Sequence, residues 1–109
     1  MNGNASDPHY EPFESKNTNI SEGDVVLIDL WAKLKEPGAV YYDVTWTGYI
    51  GTSVPESIQN IFQVVTGARD AAVQEIQRRI SSGEAMRGCD VDDVTRGFIA
   101  QSGYGEFFF

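Results

Sequence analysis

The chain has 109 residues, 41% of them hydrophobic, and carries sixteen acidic against eight basic residues for a formal net charge of −8. That usage excludes wholesale disorder, and the acidic balance with no basic patch excludes a phosphate-tracking nucleic-acid binder. The length allows at most one small domain with a single core. The excess acid can attract metal cations, although solubility is the simpler account of it. Cys89 is the only cysteine, so neither an internal disulfide nor a thiolate metal cluster is available, and Cys89 itself reads as a packed or idle thiol. No apolar run reaches the roughly 18 residues of a membrane span, and the polar opening MNGNASDPHYEPFE is no signal peptide, which makes the cytoplasm the default compartment.

Residues 1–22 are rich in Asn, Ser, Glu and Pro and read as an irregular arm, in which Pro8 and Pro12 bracket an extended His9-Tyr10 pair. A hairpin follows over 24–50. Its first strand runs from about Val25 to Trp31 in the stretch VVLIDLW, its turn is marked by Pro37-Gly38, and its second strand runs from about Ala39 to Ile50. The period then changes. Ile58, Ile61, Phe62, Val65, Ala68, Ala72, Val73, Ile76 and Ile80 recur at helical spacing, predicting an amphipathic helix over 54–82, with Pro55 in its first turn and Gly83 as its stop. Gln59, Gln63, Arg69, Asp70, Gln77 and Arg78 form its solvated face. A second helix is expected over 90–102, capped by Asp90 with Asp93 in a capping-box position, apolar along Val91, Val94, Phe98 and Ile99, and stopped by Gly103. A hairpin followed by two helices is an α+β arrangement. The ending GYGEFFF reads as a strand that needs a continuation, so the chain is expected to be incomplete.

Asp29 lies within an apolar strand, where an unpaired buried carboxylate costs several kcal/mol. It shares a face with Val25, Leu27 and Trp31, while Asp43 shares one with Tyr41, Thr45 and Thr47. A loop symmetric about Glu36 places Asp29 directly opposite Asp43. Two carboxylates that close need a cation or a shared proton, and neither strand supplies a Lys or Arg. A pair of divalent ions about 3.5–4 Å apart suits such hard oxygen donors. The competing reading makes both residues ordinary strand-face acids, exposed or paired with distant arginines. Tyr41, Tyr42 and Trp46 read as cross-strand packing.

The stretches GDVVLIDLWAK and YYDVTWTGYIG, followed by a long helix and GYGEFFF, resemble the pita-bread metallopeptidases of Xaa-Pro aminopeptidase (aminopeptidase P and prolidase) type. The resemblance implies a partial pita-bread fold in which Asp29 and Asp43 are metal ligands and His9 of the His-Tyr pair lies near the substrate. It implies a divalent metal pair in the complete enzyme, with Mn²⁺ ahead of Co²⁺ or Zn²⁺, and a peptide substrate. It leaves room for a homodimer of the full-length protein, and involves neither nucleic acid nor membrane. Trp46 stands where many members carry Arg, implying a different pocket wall. The family's remaining ligands, one His and two Glu, fall downstream of a Gly-Tyr-Gly segment like Gly103-Tyr104-Gly105. The chain is therefore expected to be an internal fragment of the catalytic domain, inactive alone, with exposed apolar edges that favour self-association. Its parent is expected to hydrolyse an N-terminal Xaa-Pro bond with a metal-activated water. The alternatives are a non-catalytic binding module of the same fold and a standalone α+β domain without metal.

Overall fold

A computed structural model describes residues 10, 11, 13–15 and 17–107. The elements run β1 (Val25–Ala32), β2 (Tyr42–Tyr49), α1 (Glu56–Ser82), α2 (Gly88–Gln101) and a single 3-10 turn at Gly105–Phe107. The α+β order is the expected one, a two-stranded antiparallel hairpin followed by two helices. The chain divides into two compact units, Met1–Val54 and Pro55–Phe109, each with its own internal packing.

In the first unit the turn explains the hairpin. Pro37 fixes the backbone for the second position of a tight turn, and Gly38 takes a φ of 79° that suits glycine. The Ala39 N–H donates to the Glu36 carbonyl at 3.2 Å across it. The segment linking the strands is thereby centred on Pro37 rather than Glu36. That one-residue displacement of the pivot moves the pairing by two: Asp29 faces Thr45, and Trp31 faces Asp43. The expected direct opposition of Asp29 and Asp43 is therefore incorrect, but a shift of two preserves which face each side chain occupies. The ladder closes at its other end where the Gly23 N–H donates to the Ile50 carbonyl at 2.8 Å and the Ile50 N–H to the Asp24 carbonyl at 2.9 Å. No residue of the hairpin is fully buried; Ile28, Leu30, Trp31, Tyr42 and Trp46 all remain exposed.

In the second unit α1 starts two positions later than the spacing indicated. Pro55 is the capping residue, in an extended conformation, and its carbonyl accepts from Ile58 and Gln59. At the other end Gly83 adopts a φ of 70°, and the N–H groups of Gly83 and Glu84 donate to the carbonyls of Ile80 and Arg79. This Schellman arrangement satisfies carbonyls that the helix leaves open. Gln59, Gln63, Arg69, Asp70, Gln77 and Arg78 are exposed, as their solvated face requires.

Helix α2 begins at Gly88, earlier than expected, with Arg87 as its cap. Asp90 does not cap the helix; it occupies the third helical position and accepts the Arg87 N–H at 3.0 Å. A carboxylate there reaches back to a free N–H and complements the positive end of the helix dipole, which a cap three residues later, at Asp90 itself, would forgo. The two helices meet at Gly67 and Ala68. A Cβ on Gly67 would lie 2.7 Å from the Phe98 ring, so only glycine lets Phe98 approach this closely. Ala68 and Ile99 are the buried hydrophobic residues of the described chain. The anticipated closing strand is instead the turn at Gly105–Phe107, where Tyr104 and Phe107 tilt against one another with ring centroids 6.5 Å apart. Ile61, Val64, Val65, Ile99, Tyr104 and Phe107 line an open apolar groove of about 380 Å³. No described helix is long and apolar enough to cross a membrane.

Candidate functional site

Alternation along the paired strands sorts the hairpin into two faces. One carries Val26, Ile28, Leu30 and Ala32 beside Tyr42, Val44, Trp46 and Gly48, and is apolar throughout. The other carries Val25, Leu27, Asp29 and Trp31 beside Asp43, Thr45, Thr47 and Tyr49. The polar groups of the sheet are thus gathered on one surface. Asp29 is tolerated inside an apolar strand because that surface is open to solvent: both carboxylates are exposed.

Asp29 and Asp43 occupy diagonal positions on this face, which in antiparallel sheets lie roughly 7–8 Å apart. Thr45 stands between them, directly across from Asp29 and two residues along from Asp43. Its hydroxyl donates to Asp29 Oδ1 at 3.0 Å. Among the described residues no salt bridge reaches either carboxylate. Trp31 projects beside Asp43 and is 65% exposed. Trp46, by contrast, pairs with Ile28 on the opposite, apolar face. It is not a wall of the carboxylate surface, so the substitution expected to remodel a pocket lies behind the sheet.

Hard carboxylate oxygens facing one way, with a hydroxyl on one and a salt bridge to neither among the described residues, fit a divalent cation chemically. Among the described residues no group of three or more His, Cys, Asp or Glu comes together. The hairpin therefore brings two carboxylates to one face, with no third such group beside them among the described residues. His9 lies outside the described residues. Tyr10 beside it is half-buried. Cys89 is exposed rather than packed, its Sγ 3.8 Å from Asp90 Oδ1. The contribution of Thr45 was not apparent from residue spacing, although its position two residues after Asp43 puts it on the same face.

The helical unit holds the strongest electrostatics. Arg78 and Arg79 both donate to Glu75, which holds its carboxyl well below the usual range, at about 2. Asp90 is likewise held at about 2, chiefly by the Arg87 side chain and backbone N–H. Arg78 also grips Glu84 through two hydrogen bonds, while Arg79 reaches the Ala85 carbonyl and Asp90. Of these contacts the Arg79–Asp90 pair links α1 to α2, and the others brace α1, the segment after it and the start of α2.

Similarity to known proteins agrees with the hairpin. The sequence profile of metallopeptidase family M24 matches residues 1–109. An uncharacterized peptidase of Staphylococcus epidermidis is 32% identical over 108 residues, 95% of this chain and 26% of that protein. A Xaa-Pro dipeptidase of Pyrococcus horikoshii is 32% identical over 94 residues, 86% of this chain and 24% of that protein. The uncharacterized peptidase YqhT of Bacillus subtilis is 33% identical over 89 residues, 82% of this chain and 22% of that protein. No solved structure matches the chain. The chain spans about a quarter of the length of the curated relatives it matches. An α+β hairpin-and-helices segment with this profile along its whole length belongs to metallopeptidase family M24.

Proposed function

We propose that this chain contributes the two-carboxylate part of a dinuclear metal site to an aminopeptidase that hydrolyses an N-terminal Xaa-Pro bond, with Mn²⁺ as the working ion. The observation that carries the reading is the placement of Asp29 and Asp43 on one face of the hairpin, with no basic partner among the described residues. The Xaa-Pro dipeptidase among the relatives supports the substrate class. Asp29 and Asp43 would hold the ions, opposing their charge with hard oxygen donors. Bound divalent ions supply a nucleophile at neutral pH by acidifying water, and polarise the scissile carbonyl. The protein's own task on this face is orientation: the sheet sets both carboxylates on one face, and Thr45 restrains one of them. His9 is assigned to the substrate side, and the complete protein to the cytoplasm, with homodimerisation open to it.

Two carboxylates are too few for tight binding, since oxygen sites for such ions want about six ligands. The isolated chain is expected to show no Xaa-Pro cleavage with any added metal. In the complete enzyme, Asp29→Asn or Asp43→Asn should abolish turnover, measured on a Xaa-Pro dipeptide, while circular dichroism stays unchanged. Full activity in both variants would assign the hairpin to scaffold.

A further inference from the structure

We infer that Thr45 is a positioning residue for the metal site: its hydroxyl locks one oxygen of Asp29 so that the other is presented to the cation. The inference rests on the metal-site reading above and adds a residue that the carboxylates alone do not indicate. Thr45 is the direct cross-strand partner of Asp29, and its Oγ1 donates to Asp29 Oδ1 at 3.0 Å. Asp29 is exposed and, among the described residues, has no salt bridge to hold its side chain. The Thr45 hydroxyl is thus the contact that selects one carboxylate rotamer. A β-branched residue is itself restricted about its first side-chain bond, so the hydroxyl is held in place by the strand that carries it.

The arrangement has a chemical consequence. A hydroxyl donating to Oδ1 occupies one acceptor position and leaves Oδ2 unencumbered. It also draws charge from the oxygen that does not bind the ion, and it places no second formal charge near the site. Asp43, two residues from Thr45 on the same strand and face, has no equivalent side-chain donor among the described contacts. The two carboxylates therefore differ: Asp29 is held before an ion arrives, and Asp43 is free to adjust to it. Hydrogen-bond partners of this kind tune metal affinity by 10–100-fold.

The test is a Mn²⁺ titration by calorimetry of the complete protein, with wild type, Thr45→Val, Thr45→Ser and Asp29→Asn compared under one buffer. Thr45→Val keeps the β-branched shape and removes the donor; Thr45→Ser restores the donor. The expected result is about 10–100-fold weaker Mn²⁺ binding in Thr45→Val, near-wild-type binding in Thr45→Ser, and a larger loss in Asp29→Asn. Thermal unfolding of the metal-free proteins separates folding from positioning: Thr45→Val should melt within a few degrees of wild type. Equal binding by wild type and Thr45→Val, with Asp29→Asn impaired, would overturn the role of Thr45 while leaving the metal site standing. Weak binding in both Thr45→Val and Thr45→Ser would also overturn it, by showing that shape rather than the hydroxyl matters. Unimpaired binding in Asp29→Asn would remove the metal-site reading beneath it.

Discussion

Gly38 decides which residues face one another along the hairpin. At a φ of 79° it occupies the left-handed region, where a side chain costs roughly 1–2 kcal/mol. Gly38→Ala is therefore expected to destabilise the complete protein by about 1–2 kcal/mol in urea unfolding, and Gly38→Asn by less, because Asn tolerates that region better. Equal stability of the alanine variant would show that the turn does not constrain the register. This position also shows what was legible in the sequence. Pro37-Gly38 marks the turn unmistakably, and strand alternation places Asp29 and Asp43 on one face under any register shift of two. The pairing partner itself was not legible. It depends on which residue is the pivot, and a loop with several polar residues before its Pro-Gly admits neighbouring choices. The Thr45–Asp29 hydrogen bond was hidden for the same reason, since it exists only in the register that opposes those two residues.

The helices pose a different problem, that of holding two elements together with little core. Beyond Ala68 and Ile99 the α1–α2 contact leans on charge: Arg79 alone reaches Glu75, Asp90 and the Ala85 carbonyl. Both acids have carboxyls held at about 2, below their ordinary values of 4.5 and 3.8. A depressed folded-state value means the unfolded chain takes up protons first, so this stabilisation is complete above about pH 5 and is lost as pH falls toward 2. Helical circular dichroism should accordingly hold steady at neutral pH and melt at progressively lower temperature between about pH 4 and 2. Glu75→Gln should flatten part of that slope and lower the neutral-pH melting temperature; an unchanged slope would show that the cluster does not stabilise the fold. Periodicity announced both helices and their glycine stops, because those signals are local. It misjudged the start of α2, where Asp90 looks like a cap by residue type but acts from the third helical position. Arg78 was correctly placed on the solvated face, where it pairs with Glu75 one turn away, yet its grip on Glu84 depends on where the chain goes after Gly83.

At the scale of the molecule, two compact units and very few buried side chains contrast with the single core that 109 residues would allow. Ile28, Leu30, Tyr42 and Trp46 leave much of one sheet face apolar and exposed, and Ile61, Val65 and Phe107 do the same around the groove of the helical unit. A two-stranded hairpin is marginal without further packing. These faces accord with a chain that spans about a quarter of its curated relatives. The isolated chain is expected to self-associate and to bind a hydrophobic dye, with a shallow urea transition, whereas the complete protein should unfold steeply and bind little dye. A steep transition in a monomeric isolated chain would contradict this. Composition gave no warning of the exposed faces, because hydrophobic content counts residues without saying what covers them.

Asp29 and Asp43 are proposed to ligate metal from one face of the hairpin. The most direct measurement is an anomalous-difference map from crystals of the complete protein loaded with Mn²⁺. Manganese peaks are expected within about 2.0–2.6 Å of carboxylate oxygens of both residues. Manganese bound elsewhere, with Asp29 and Asp43 facing only water, would contradict the proposal.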